Sequence, residues 1–334
     1  MVAQACGCSA ATVSKALNGA EDVSRDTAER VRRVASELGY MPNAAARALK
    51  TSRSYCFGVL YQDAGTGGLG HGFFSGILNS FRERSEELGY DIFFISDRLG
   101  NRKISYAEHA RYRNCDGVFI PNETYESEDI RELAACEIPL VTIDYAYDNC
   151  GSVMSDNVRG MAALVRYIYD RGHRRIAFIY GDDTAVTRAR VYSFRQTCGK
   201  LGLKLPPDYL LRGEYCRPNA SQEATRRLLA LKERPTCIIY PDDIAYIGGR
   251  NEIYRQGLRI PEDVSVAGYD GLDFSQMLLP RLTTVRQDAQ LMGTNAADEL
   301  VRAAGLGKDY VPRQIIIPGR VLPGETVARI GETD

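Results

Sequence analysis

The chain has no tryptophan and only three histidines among its 334 residues, which leaves little material for a histidine-based metal site. Its nine cysteines are an odd, scattered set with no CxxC pair. That pattern reads as reduced thiols and argues against both a disulfide scaffold and a zinc ribbon. No apolar run approaches the roughly 20 residues a membrane-spanning helix needs. There is no basic-then-apolar leader. P-loop, GxSxG and HExxH motifs are missing as well. What is present is ordinary for a folded chain, with 44% hydrophobic and 25% charged residues. The length predicts two or three domains. These observations point to a cytoplasmic, non-enzymatic protein with no cofactor, no metal and no membrane contact.

The formal charge of −1 hides an asymmetry. Residues 1–55 carry eight Lys/Arg against five acids, a balance of +3, while the remaining chain balances at −4. A basic head on an acidic body fits a polyanion contact at one end.

Short helical patterns fill the head. Val2, Ala3 and Cys6 form an apolar face, and Gly7 supplies a turn. Ser9 is placed to cap a helix carrying Val13, Ala16 and Leu17. Ser24 is placed to cap another, whose Ala28, Val31, Ala35 and Leu38 form one stripe before Gly39. Helix, glycine turn and Ser-capped helix is a helix-turn-helix grammar, in which the second helix exposes polar side chains to base edges. Ser9 and Thr12 suit phosphate contacts; Ala10, Ala11, Ser14 and Lys15 face the bases. A plain helical cap domain is the alternative reading.

From Tyr55 the grammar changes to strand–helix alternation. Strands are predicted at Cys56–Tyr61, Asp91–Ile95, Gly117–Ile120 and Leu140–Ile143, then near 175–180, 236–240 and 264–268. Helices fall near 73–88, 103–113, 127–135, 157–171, 188–201, 219–231 and 243–256. Buried strands alternating with helices mean parallel sheets covered on both faces. Two doubly wound lobes are expected, with ligands at the carboxyl ends of the strands.

The strings ACGCSAATVSKALNG and VSRDTAERVRRVASELGYMPNAAARALKT resemble the head of the LacI/GalR family of bacterial transcriptional repressors. The likeness continues through GFFSGIL, YDNCGSVMSDNVRG, RGHRRIAFIYG, RPTCIIYPDDIA, RIPEDVSVAGYDG and PRLTTVRQD, in order along essentially the whole chain. The resemblance implies a helix-turn-helix head at 1–41 and a hinge helix and linker at 42–54. It also implies a periplasmic-binding-protein-like body, with lobes at 55–155 plus 287–318 and at 156–286 plus 319–330.

By position, Ala10, Ala11 and Lys15 would read the major groove of double-stranded operator DNA, the alanines by thymine-methyl contact only. Ser9, Thr12, Asn18, Ser24 and Thr27 would hold phosphates. Tyr40 and Asn43 would lead the hinge. Leu49, beside Ala46 and Arg47, would be an apolar wedge in the minor groove, where partial unstacking lets a bent duplex wrap more protein. Family members open with a Thr and an acid capping the first helix, and Met1 stands where that acid would be, so an uncapped first turn is expected.

In the body, His71, Phe73, Phe74, Asp144, Arg190, Tyr215, Asp243, Asp270 and Gln287 would bind a small effector, a mono- or disaccharide. The resemblance also implies a homodimer, with the helix from Phe73 to Leu88 supplying much of the interface. Two rival readings stay open. One is a cytosolic sugar-binding protein without operator binding. The other is an NAD-dependent oxidoreductase, for which the run from Gly65 to Gly70 matches GxGxxG and Asp97 would bind ribose. A lone GxGxxG is a weak signal. The acid pairs Asp182–Asp183 and Asp242–Asp243 suggest acid–base work, but such pairs more often cap helices that follow strands.

Overall fold

The computed structural model describes residues 1–17, 20, 22–40, 48, 53–61, 70–122 and 125–331. The chain divides into two compact units, Met1–Tyr55 and Cys56–Asp334.

In the first unit, helices span Val2–Ala5, Ala10–Leu17 and Arg25–Glu37. The turn between the first two is made at Gly7, whose φ of +62° suits a residue without a Cβ. Thr12 N–H donates to Ser9 Oγ at 3.1 Å, and Thr27 N–H to Ser24 Oγ at 3.4 Å, so both predicted serines cap their helices. Met1 supplies no side-chain cap to the first helix. Val2, Cys6, Val13, Ala16, Val31 and Ala35 close a small core. Leu38 departs from the predicted stripe: it sits at the C-cap of its helix, turned 42% to solvent, and Val34 packs on the core instead.

The second unit contains two six-stranded sheets. The first is ordered β13-β7-β6-β5-β1-β2, from Gln314–Ile317, Gly151–Ser155, Leu140–Ile143, Gly117–Asn122, Cys56–Tyr61 and Asp91–Phe94. All its pairings are parallel. The second is ordered β14-β12-β11-β10-β8-β9, from Arg320–Leu322, Thr283–Arg286, Ser265–Asp270, Cys237–Ile239, Ile176–Tyr180 and Leu210–Arg212. Its edge strand β14 runs antiparallel to β12. A two-stranded ribbon of β3 (Arg98–Leu99) and β4 (Arg102–Lys103) stands apart.

The chain leaves the first sheet after Ser155, returns to it after Arg286, and leaves again after Ile317. Helices cover the faces, as near-continuous buried strands such as Val118–Ile120 and Cys237–Ile239 require. The helix Ala289–Leu306 lies against the helix Gly72–Glu87, and Ser80 Oγ donates to Ala289 O at 3.1 Å. A Cβ on Gly293 would stand 2.2 Å from Ile77 O, so this close approach requires glycine there. Arg84 Nε reaches Asp298 Oδ1 at 2.8 Å on the outside of the same pair.

Candidate functional site

A cavity of about 470 Å³ opens where the carboxyl ends of the two sheets face each other. Doubly wound sheets bind ligands at this edge, because crossovers leave the chain free to form loops there. Eight of the nine predicted effector residues line it: His71, Phe73, Phe74, Asp144, Arg190, Tyr215, Asp270 and Gln287.

Asp144 follows β6 and Asp270 ends β11, one from each sheet. Both hold positive φ, +55° and +101°, an uncommon backbone for residues other than glycine and one that concentrates at functional sites. A polar chain joins them. Asp144 Oδ1 accepts from Ser155 N–H at 2.7 Å, Ser155 Oγ donates to Gln287 Oε1, and Gln287 Nε2 donates to Asp270 Oδ1 at 2.7 Å. Burial pushes the Asp144 carboxyl up to about 6; the Ser155 N–H and the charge of Arg190 oppose the rise, and Asp270 adds to it.

Arg190, on the helix Ala185–Lys200, is only 3% exposed. Its Nε donates to Asn157 Oδ1 at 2.7 Å and its Nη1 to Pro241 O at 3.0 Å. The guanidinium lies 3.5 Å from the centroid of the Tyr269 ring. Burial alone would lower its pKa, but Tyr215, Tyr269, Asp270 and Asp144 together raise it. Arg190 is thus a fixed charge, with the rest of its donor fork available to a ligand. Tyr215 is fixed by a 2.8 Å hydrogen bond between its hydroxyl and Thr187 Oγ1.

Asp243 is a correction. It is fully buried away from the cavity, where Thr284 Oγ1 donates to its Oδ1 at 2.7 Å and Leu272 N–H to its Oδ2 at 2.8 Å. Its neighbour Asp242 lines the cavity instead, capping the helix Asp243–Arg255 through Ala245 N–H at 2.7 Å and holding Cys216 N–H at 2.8 Å. Burial, reinforced by Asp270, pushes Asp242 up to about 7. The helix-cap reading therefore holds for Asp242. Asp182 accepts from Tyr215 N–H at 3.2 Å, and Thr184 caps the helix that follows.

Tyr125, Tyr145 and Asn122 are among the cavity residues not singled out in the sequence. Tyr125 and Tyr145 stack with centroids 4.8 Å apart. Asn122 ends β5, and its buried Nδ2 has no partner among the described residues, as is the case for His71 Nδ1. The position of Asn122 two residues past the predicted strand Gly117–Ile120 was the available signal. Asp97 lines a separate hollow with Lys103 and Glu108, and residues 65–69 of the glycine-rich run lie outside the described residues. Among the described residues no cluster of His, Cys, Asp and Glu could hold a metal, and all nine cysteines are free thiols. No helix of the described residues is long and apolar enough to cross a membrane.

In the head, Ser9, Ala10 and Ala11 are exposed and Thr12 half-buried, with Ser9 Oγ and Thr12 Oγ1 2.9 Å apart. Ser14 is half-buried on the same helix. Lys15 Nζ is ion-paired to Asp22, and Tyr40 is 44% exposed. Ser24 Oγ donates to Thr27 Oγ1 at 2.8 Å. Asn18, Asn43, Ala46, Arg47 and Leu49 lie outside the described residues.

Fold and cavity together define a two-lobed, periplasmic-binding-protein-like body that follows a helix-turn-helix head. A sequence model of the periplasmic binding protein-like domain matches residues 165–327, and one of the lacI family of bacterial regulatory proteins matches residues 2–43. The HTH-type transcriptional repressor PurR of Pasteurella multocida (strain Pm70) is 29% identical over 300 residues, spanning 88% of each chain. Among solved structures, the lac repressor dimer bound to operator and the anti-inducer ONPF aligns with a TM-score of 0.77, at 24% identity over 98% of each chain. The complex of the transcriptional regulator CelR with cellobiose aligns with a TM-score of 0.72, also at 24% identity over 98% of each chain. The chain therefore carries a lacI-family helix-turn-helix domain followed by a periplasmic-binding-protein-like domain, the make-up of a DNA-binding transcriptional regulator with a ligand-binding body.

Proposed function

We propose that this protein is a cytoplasmic, homodimeric repressor whose operator affinity is set by a sugar bound between the lobes. The lobes are taken as 55–155 with 287–318 and 156–286 with 319–330, after a head at 1–41 and a hinge at 42–54. Supporting the effector site is one observation above others. Arg190, Asp144 and Asp270 converge on a single cavity from both sheets, pre-oriented by hydrogen bonds beside aromatic side chains. Charged groups of this kind bond vicinal hydroxyls, and aromatic faces cover the apolar side of a sugar ring. The solved structure with cellobiose supports the same class. On the DNA side, Ser9 and Thr12 would hold phosphates, while Ala10, Ala11, Ser14 and Lys15 address bases from the exposed start of the second helix. A symmetric dimer matches a palindromic operator.

The test is a gel shift on DNA upstream of the gene, with and without a panel of mono- and disaccharides. A sugar that changes operator affinity by tenfold or more supports the reading. Specific DNA binding that no sugar alters would leave a repressor of another effector class. No specific DNA binding would favour a sugar-binding protein without an operator.

A further inference from the structure

We propose that the effector carries a protonated amine, so that an amino sugar, rather than a neutral or phosphorylated one, fills the cavity; this rests on the sugar reading above. The charge balance of the wall points that way. Arg188 is paired with Asp183 at 2.8 Å, which removes both from the count. The cavity is then lined by the carboxylates Glu126, Asp144, Asp182, Glu214, Asp242 and Asp270 against the guanidiniums of Arg190 and Arg217. Asp182 is likewise ion-paired, to Arg212 at 3.7 Å, which leaves five of these carboxylates against the two guanidiniums.

Three of these acids share the cavity wall with Arg190, its buried guanidinium among the described residues: Asp242 and Asp270 are more than nine-tenths buried, and Asp144 is partly buried. Arg190 already gives hydrogen bonds to Asn157 and Pro241, and acts on Asp144 and Asp270 through space. The floor therefore holds surplus negative charge in a setting where unpaired charge is costly. The N-termini of the helices beginning at Gly72 and Ala185 offset only about half a charge each. The third, at Asp243, is already capped by Asp242.

A hydroxyl offers this floor a dipole. An ammonium offers it a full charge and three N–H donors, and the aromatic faces of Phe73, Phe74 and Tyr215 attract cations. A phosphate or carboxylate on the ligand would meet like charge. A second observation is independent of the acids. His71 is 3% exposed, lines the same wall, and has no partner for Nδ1 among the described residues. A neutral imidazole has one ring nitrogen that donates and one that accepts, so this residue of the wall carries a polar atom that no described residue satisfies.

The experiment is titration calorimetry and thermal melting of the full chain at pH 7.5. The probes are D-glucosamine, D-galactosamine and D-mannosamine, each beside its parent hexose and its N-acetyl derivative, with glucosamine 6-phosphate as the anionic control. At least one free amine is expected to bind tenfold or more tighter than its hexose and its N-acetyl form, and tighter than the phosphate. That preference should narrow to under threefold in Asp144→Asn. Should Asp144→Asn fail to fold, Asp270→Asn serves, and so does the wild-type salt dependence, since amine binding should weaken with ionic strength and hexose binding should not. A hexose or N-acetyl sugar binding as tightly as its amine overturns the amine and leaves the sugar reading standing. Silence from all three amines overturns the proposal. A melting shift with adenine or guanine and none with any sugar overturns both.

Discussion

Gln287 Nε2 donates a 2.7 Å hydrogen bond to Asp270 Oδ1, and Ser155 Oγ donates to the amide oxygen of the same side chain. Ser155 ends the first sheet's β7, Asp270 ends the second sheet's β11, and Gln287 lies on the returning crossover. One amide therefore joins the two lobes at the floor of the cavity, with both of its ends used.

Replacing Gln287 by Leu should leave Asp270 Oδ1 without its amide donor and Ser155 Oγ with only the Met292 sulfur, at 3.5 Å, to donate to. Leaving such groups unsatisfied costs about 1–3 kcal/mol. The urea midpoint of the body should fall accordingly, with an unchanged m-value. Any sugar that binds should bind more weakly, because Asp270 loses its orientation. A midpoint equal to the parent's would mean that water replaces the amide without loss.

Arg190→Ala removes a fixed charge held by Asn157 and the Pro241 carbonyl. Charge-assisted hydrogen bonds contribute about 1.5–3 kcal/mol, so affinity for the best sugar of the panel should fall roughly ten- to a hundredfold at 1.4 kcal/mol per decade. Arg190→Lys keeps the charge but loses the planar fork, and should recover only part of the loss. Calorimetry on the full chain checks both, and equal affinity in all three proteins would make the arginine structural.

Asp144 gives the body a definite pH signature. Burial raises its folded-state value to about 6, above the 3.8 of an unfolded carboxyl. Between those values the native state binds more protons than the unfolded one, so this group's contribution to stability falls as pH rises and levels off above 6. Asp144→Asn removes a desolvated charge while keeping an oxygen for Ser155 N–H. Its advantage over the parent should reach about 2–3 kcal/mol at pH 7.5 and vanish near pH 4. Melting temperatures of both proteins across that range test this, and a constant difference would contradict it.

Glu252 behaves oppositely. It is fully enclosed, and the Arg255 guanidinium holds its carboxyl at about 2 despite burial, with Gln256 and Gln222 assisting. The stability it contributes is present above the usual 4.5 and is lost as pH falls toward 2. Glu252→Gln should cost about 3 kcal/mol at pH 7, the scale for removing one partner of a buried ion pair. The gap should close in acid.

The central strands and the helices over them could be read from apolar runs alternating with periodic segments. The helix Ala289–Leu306 could not. Its buried face consists of Met292, Gly293, Ala296, Ala297, Leu300 and Ala303, together with Glu299. Small residues give a faint stripe, and Glu299 reads as surface until Arg302, Tyr310 and Arg313 are seen closing over it. The same limit decided Asp242 and Asp243. Two adjacent acids at a helix start have equal standing in sequence, and only the position of Thr284 on a neighbouring strand turns one of them away from the cavity. For Asn122, only three-dimensional contacts show that its Nδ2 has no partner among the described residues.

Lys15 carries the last prediction. It is the one long cation on the exposed side of the helix Ala10–Leu17, and its ammonium is paired with Asp22, both side chains being about half exposed. An exposed pair of this kind contributes about 0–1 kcal/mol, so DNA can displace the carboxylate at small cost. With Ala10 and Ala11 limited to methyl contact, Lys15 is left as the main hydrogen-bonding reader. Lys15→Ala should therefore reduce affinity for an operator selected from random DNA by roughly ten- to a hundredfold, the scale of one good base contact, and reduce binding to unrelated DNA far less. Asp22→Asn frees the ammonium and removes a negative charge near the backbone. It should tighten both kinds of DNA up to about fivefold, within the energy of the lost pair. Fluorescence anisotropy at two salt concentrations separates the cases. If Lys15→Ala weakens operator and unrelated DNA equally, Lys15 is a phosphate contact, and the base reading at that position fails.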